Sequence, residues 1–466
     1  MRDAPGPRAA GGGAGPAALR RAAPADRRGG APGQGPRAPA RAGGAAAQGA
    51  GDVSSRFLGV GLALHPEAET IERLGRAIEE LADFYELSPE MHWQGEAEPA
   101  PTRALLADLV RRSGKPVVAH GLFLSLGSSD DPERLGAALA RIERDQAEFD
   151  FLHYSDHLGF CAEGGRESAL PLPLPWSEAS AQVVAARLRC LRDVVPAVAF
   201  ENSALLVQLG DPLLEPDFLA RVCELGQCGL VLDLHNAYAN CLNAGVELEA
   251  WLARVPWEQV VELHLSGGSW SEEEWGAERR RLDTHDGPVP EDVWRAAELA
   301  LARSPRLRGV VLERIGLVAS EVSGFEDELR RARELVARRP APLAPAPPER
   351  APLPAGPAPA ETSPLLLDAL LSQDPGETLA AGVGSLSPPA QAVLGDLDPS
   401  GLTLTHLIVH RLRCERILAG DGALRQAFQR DPGGFSARYR GYSVANPPQS
   451  VWPREEARRF RAHWGT

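Results

Sequence analysis

The chain has almost no lysine. Of its 49 basic residues only Lys115 is one, and all the others are arginine, a bias that reads as a GC-rich coding sequence rather than as chemistry. Cysteine is sparse, with six in 466 residues (positions 161, 190, 223, 228, 241 and 414), forming neither a Cys-x-x-Cys pair nor a regular framework. That pattern excludes a disulfide scaffold and predicts reduced thiols in a cytoplasmic protein. Apolar runs are short: Phe57–Leu64 is among the longest, well under the ~20 residues of a membrane helix, so no span is expected. A net charge of −14 argues against nonspecific polyanion binding, and no nucleic-acid partner is expected. What remains is 44% apolar and 24% charged residues, the mix of a soluble globular protein with a large core and two or three domains.

Composition divides the chain. Residues 1–52 are nearly all Ala, Gly, Pro and Arg, cannot bury enough surface to offset their ordering entropy, and are predicted to be disordered. The paired arginines at 20–21 and 27–28 precede no hydrophobic stretch, which argues against a secretion signal, and Val53 is an alternative start of translation. A proline-rich stretch over 340–363 predicts an extended linker between a central block, 53–339, and a helical block, 364–466.

The central block alternates. β-Branched runs at 57–64, 84–87, 116–121, 151–157, 197–202, 229–236, 260–267 and 308–315 are separated by helix-spaced stretches such as 67–82, 132–147, 177–194 and 321–339. Eight such repeats predict a (β/α)8 barrel. An open doubly wound sheet is the weaker alternative, because no Gly-x-Gly-x-x-Gly follows the first run.

In a barrel the strand C-termini converge on one mouth. Those ends carry His65, Glu86 with His92 beyond, His120, Asp156-His157, Glu201-Asn202, Asp233 with His235 and Asn236, His264, Asp283 with His285 in the next loop, and Glu313. A lone histidine is more often structural, and Asp-x-His alone is as readily a turn. Unpaired buried carboxylates such as Glu201 and Glu313 are costly, however, and imidazole with carboxylate at nearly every strand end suits iron, manganese or zinc. The donors outnumber what one ion uses, so a carboxylate-bridged cluster is expected.

The order of these residues resembles xylose-isomerase-like barrels, including endonuclease IV. Closer still is the DUF692 family of multinuclear non-heme iron-dependent oxidative enzymes, which includes the methanobactin biosynthesis oxidase. The matching segments are GLALHPE (61–67), VAHGLFLSLG (118–127), YSDHLGF (154–160), LPLPW (172–176), FENS (200–203), LDLHNAYANCLNAG (232–245), VELHLSGG (261–268), LDTHDGPV (282–289) and LER (312–314). The resemblance implies metal ligands at His65, His120, Asp156, Glu201, Asp233, Asn236, His264, Asp283, His285 and Glu313. Asp156 stands where the family has glutamate, His235 where it has asparagine, and Ile315 where it often has aspartate. The implied activity is an oxidase with two or three irons of mixed valence and O2 as co-substrate, modifying cysteine in a ribosomally made precursor peptide. A leader-binding partner protein is implied as well, and the C-terminal block is a candidate equivalent fused in cis. The alternatives are a zinc hydrolase of the endonuclease IV type and an inactive barrel serving as a binding scaffold. A sugar isomerase is disfavoured because Lys115 precedes the third strand.

In the C-terminal block His406, His410 and Cys414 share one helix face, which reads as packing rather than a metal or haem site. Tyr439, Tyr442, Trp452 and Trp464, interleaved with arginines, are expected to form a peptide-docking surface.

Overall fold

A computed structural model describes residues 56–464 apart from 66–67, 76, 95–97, 100, 130, 276–277 and 342–349. The stretch expected to be disordered, 1–52, and the middle of the proline-rich stretch therefore lie outside the described residues. Eight parallel strands close into a barrel: β1 (Gly59–Leu64), β2 (Phe84–Leu87), β3 (Val117–Gly121), β4 (Tyr154–His157), β5 (Val198–Glu201), β6 (Gly229–Asp233), β7 (Val260–Leu265) and β8 (Gly309–Leu312). Each pairs with its neighbours in sequence, and β1 closes on β8 through Gly59↔Gly309 and Leu62↔Leu312. The strands are short, apolar and buried on both faces, as a parallel sheet wrapped by helices requires.

Phe84 packs the lower part of the lumen. Glycines flank it on both sides: a Cβ on Gly61 would lie 2.4 Å from its ring and one on Gly309 2.5 Å, so only glycine leaves room. Ala63, Val118 and Val311 complete this apolar layer. Above it the lumen becomes polar.

The sixth run ends sooner than its apolar pattern predicts. β6 stops at Asp233, and a helix occupies Leu234–Ala244. Asp233 is its N-cap, accepting a hydrogen bond from the Asn236 amide at 2.6 Å, and this local bond overrides strand continuation.

After the barrel, the chain crosses its surface before turning helical. Ser177 Oγ donates to the Pro357 carbonyl (2.8 Å), and the Glu178 amide donates to that of Pro354 (3.0 Å). The first C-terminal helix is Pro359–Leu371, so helix begins before residue 364 and Pro364 lies inside it. Further helices span Pro375–Val383, Pro388–Gly395, Pro399–Gly420, Gly422–Arg430, Pro432–Ala445 and Pro453–Trp464. The Asp-Pro pairs at 374–375, 398–399 and 431–432 each place an aspartate N-cap before a first-turn proline. Of the four aromatics expected to form a docking surface, Tyr439 and Tyr442 are buried, packing with Phe435 and Phe460 as the core of the last helices, while Trp452 and Trp464 are half-buried.

Candidate metal centre

Side chains two apart on a strand face the same way. Continuing upward from the apolar layer, that alternation turns Glu86, His120, Ser155, His157, Glu201, Asp233, His264 and Glu313 into the lumen. Three groups result whose donor atoms lie within 4.8 Å of one another: His120, His157 and Glu201; Glu201, Asp233, His264 and Glu313; and Glu86, Glu262 and His264. Glu201 joins the first two, and His264 joins the last two.

Hydrogen bonds on the far side of each ring set its tautomer. His157 Nδ1 lies 2.9 Å from the Gly121 carbonyl, which can only accept, so Nδ1 carries the proton. His157 Nε2 then presents a lone pair to Glu201 Oε2 at 3.1 Å. His120 repeats the pattern. Ser155 Oγ donates to the Ala119 carbonyl (3.2 Å) and can accept from His120 Nδ1 (2.8 Å), leaving Nε2 facing the same Glu201 oxygen at 3.1 Å. At His264 the roles of the nitrogens reverse: Glu262 Oε1 accepts from Nε2 at 3.3 Å, and Nδ1 faces Glu201 Oε1 (3.1 Å) and Glu313 Oε2 (3.4 Å).

Imidazole nitrogens therefore crowd buried carboxylate oxygens, with His264 Nδ1 at hydrogen-bond distance from Glu201 Oε1. Glu201 Oε2 makes no well-formed hydrogen bond despite its two close nitrogens, and Asp233 Oδ2, Glu313 Oε2 and Asn236 Oδ1 are buried without a hydrogen-bond partner. Two donors held about 2.1 Å from one ion at a right angle would stand about 3 Å apart, the spacing seen here. No cysteine sulfur belongs to any group. The site fits a cluster of borderline cations held by nitrogen and oxygen.

The electrostatics carry the same message. Burial pushes the Asp233 carboxyl well above the usual carboxylate range, and the charges of Glu201, Asp283 and Glu313 push it further. Burial opposes charge on His264 and His120 as well. Glu86 and Glu313 nevertheless raise His264 well above the ordinary histidine value, and Glu201 raises His120 to about 9. Without cations, the fold can hold these carboxylates only by drawing protons onto its imidazoles.

Most of the expected residues converge. His120, Glu201, Asp233, His264 and Glu313 form the groups just described. Asp283 and His285 sit beside them, with His285 Nε2 2.8 Å from Asp283 Oδ1 and 3.8 Å from Glu313 Oε2. Asn236 reaches the rim through the Asp233 cap, and its Nδ2 donates to the Asn202 carbonyl (3.0 Å). Two expected residues stand apart. His65, just past β1, is half-buried and belongs to none of the three groups. Asp156 points away from the lumen. Strand alternation turns it toward the loop after β3, where its Oδ2 accepts from the Leu124 amide (3.2 Å), and His157 takes the inward position.

His157, Glu86 and Glu262 thus belong to the centre without being in the expected ligand set. For Glu262 the signal lay in Glu-x-His at 262–264, two residues on one face of a strand. His235, which stands where the family has asparagine, lies on the helix Leu234–Ala244 with Nδ1 3.3 Å from Asp283 Oδ1. His406, His410 and Cys414 join no metal-like group among the described residues. His406 Nδ1 bonds the Leu370 carbonyl (3.0 Å), as packing predicts.

Known proteins resemble the chain over its barrel. A UPF0276 protein of Pseudomonas aeruginosa is 34% identical over 289 residues, covering 61% of this chain and 94% of its own length. One from Rhizorhabdus wittichii is 36% identical over 199 residues, covering 42% and 69%. Among solved structures, a D-allulose 3-epimerase from Methylomonas aligns over 61% of this chain and 98% of its own, with 14% identity and a TM-score of 0.38. Endonuclease IV from Thermus thermophilus aligns over 59% and 99%, with 16% identity and a TM-score of 0.36. Residues 58–337, the whole barrel with its donor-lined mouth, match the family described as RiPP precursor modification enzyme MbnB/TglH/ChrH. The chain belongs to that family of enzymes acting on ribosomally made peptide precursors.

Proposed function

We propose that the chain is an iron-dependent oxidase that uses O2 to modify a cysteine of its precursor peptide. The observation carrying this reading is the set of imidazole nitrogens packed against buried carboxylates, several of whose oxygens have no hydrogen-bond partner, in a lumen free of thiolate. His120, His157 and Glu201 would hold one ion, and Glu201, Asp233, His264 and Glu313 a second, with Glu201 as the bridge. Asp283 and His285 are placed to serve a third. Bound iron would supply one-electron chemistry with O2 and a seat for the substrate sulfur.

The chain's own residues do the rest. Ser155, the Gly121 carbonyl and Glu262 hold the three imidazoles with their free nitrogens forward. Asn202 accepts from the Asp233 amide and donates to the Asp233 carbonyl, both at 2.9 Å, so the end of β6 keeps its aim. The apolar layer around Phe84 fills the lumen below the donors, and the cavity at the mouth reaches them through His157 and Asp283. A leader-holding role for the C-terminal block, in cis or with a partner protein, belongs to the same reading.

Elemental analysis with Mössbauer spectroscopy, on protein purified at low oxygen without added metal, tests it. Two or three irons of mixed valence per chain are expected. Stoichiometric zinc persisting after growth in iron-rich medium would overturn the proposal and direct attention to hydrolysis of the endonuclease IV kind.

A further inference from the structure

The family match ends at residue 337, yet the cavity at the barrel mouth is not built by the barrel alone. It has a volume of about 540 Å³, within the range of about 300–1,000 Å³ typical of small-ligand sites. His157 and Asp283 line its inner end and join it to the candidate metal centre. Its outer wall is the helix Pro399–Gly420, which contributes Thr405, Ile408, Leu412 and Glu415, with Arg411 beside them paired to Glu415 at 2.9 Å. Those four positions recur at i, i+3, i+7 and i+10, one stripe of a helix. Ile408 and Leu412 are only half-buried, and the apolar segments 170–173 and 204–207 line the same cavity.

This wall is built in rather than leaning on the barrel by chance. A Cβ on Gly401 would lie 2.0 Å from the Leu206 carbonyl oxygen, so the helix start meets the barrel loop as closely as glycine permits. Asp398, the helix N-cap, pairs with Arg280 at 3.0 Å, and Arg416 donates to the Ala169 carbonyl at 3.2 Å. Both ends of the stripe are therefore tied to barrel loops.

Accepting the peptide-modifying reading, we infer that this helix is the specificity wall of the substrate site, and that Ile408 and Leu412 seat an apolar side chain flanking the residue to be modified. The occupant is the precursor, because the cavity runs without a break from the donor-lined mouth to this stripe. A site so walled distinguishes precursors by a part of the chain that lies beyond the family match.

The test uses the full-length, metal-loaded protein and a displayed library of short linear peptides with one fixed cysteine and random flanks. The wild type is expected to enrich Leu, Ile, Val, Met or Phe beside the cysteine. The double variant Ile408→Glu/Leu412→Glu should move that preference toward Arg and Lys by about tenfold, the discrimination one side-chain contact supplies. Ile408→Trp, which narrows the cavity without adding charge, should favour Gly and Ala at the same position. If wild type and both variants enrich the same flanks, the helix is not the wall. If the wild type enriches no cysteine peptide at all, the cysteine-modifying reading falls with it.

Discussion

Two of the places where this molecule buries charge are solved differently. Among the C-terminal helices, Arg413 Nε donates to Glu456 Oε2 at 2.9 Å, and its Nη2 donates to the Asn446 carbonyl at 2.6 Å. Each charge there has an opposite one beside it. At the barrel mouth, Glu86, Glu201, Asp233, Glu262 and Glu313 crowd around three imidazoles, and several of their oxygens have no hydrogen-bond partner. The first arrangement satisfies a fold. The second costs the fold free energy unless cations enter, and such sites are kept for chemistry.

The comparison breaks most sharply if the mouth can be relieved. Asp233→Asn, which can still accept from the Asn236 amide, should abolish stoichiometric metal binding, read by elemental analysis. It should also raise the melting temperature of the metal-free protein above that of metal-free wild type, since one of several like charges is gone. A metal-free variant that melts lower would mean the carboxylates are already satisfied without cations.

Arg413→Ala should have the opposite character. Stranding Glu456 in the core is expected to cost about 3–5 kcal/mol in denaturant unfolding, with the metal content of the folded protein unchanged. Replacing both partners by methionine should recover most of that loss. If the single variant costs nothing, the pair is not the structural counterpart drawn above.

Glu262 sharpens the contrast, since its carboxylate is buried at the centre yet faces the back of His264. Glu262→Met should weaken metal binding by about 10- to 100-fold, and Glu262→Gln, which still accepts from Nε2, should restore part of it. Equal effects from both would assign Glu262 a direct ligand role.

The smallest effect concerns a buried carboxyl outside both places. Glu215 accepts from Trp251 Nε1 at 3.1 Å, and burial pushes its carboxyl up to about 8. The folded form keeps this proton where the unfolded chain, with an ordinary value of 4.5, has lost it. Stability therefore falls as pH rises from about 4.5 to about 8. Glu215→Gln should flatten that decline and melt a few degrees above wild type at pH 8, with the two curves meeting near pH 5. Parallel melting profiles would remove Glu215 as the cause.

The barrel was legible because its signal is local. Eight apolar runs at regular spacing need only the pleat and the hydrophobic effect, and every run became a strand. The donors were legible for the same reason, since a parallel barrel sends every strand end to one mouth. The choice between neighbours was not. Asp156 and His157 differ by one position, and which faces inward depends on where β4 enters the barrel, two residues before Asp156. The end of β6 was half-legible: Asp-x-x-Asn at 233–236 is a helix-capping pattern, overlooked inside an apolar run.

By itself, the sequence determined the class of fold, the donor chemistry and the absence of thiolate from it, because these follow from residue type and period. Tertiary structure alone decided which nitrogens face which carboxylates, which carboxylate oxygens are left without partners, and that helix Pro399–Gly420 lines the cavity at the mouth. Those outcomes rest on contacts between residues far apart in the chain, such as Glu201 with His264 and Leu206 with Gly401. Their geometry exists only once the barrel has closed and the helix has docked.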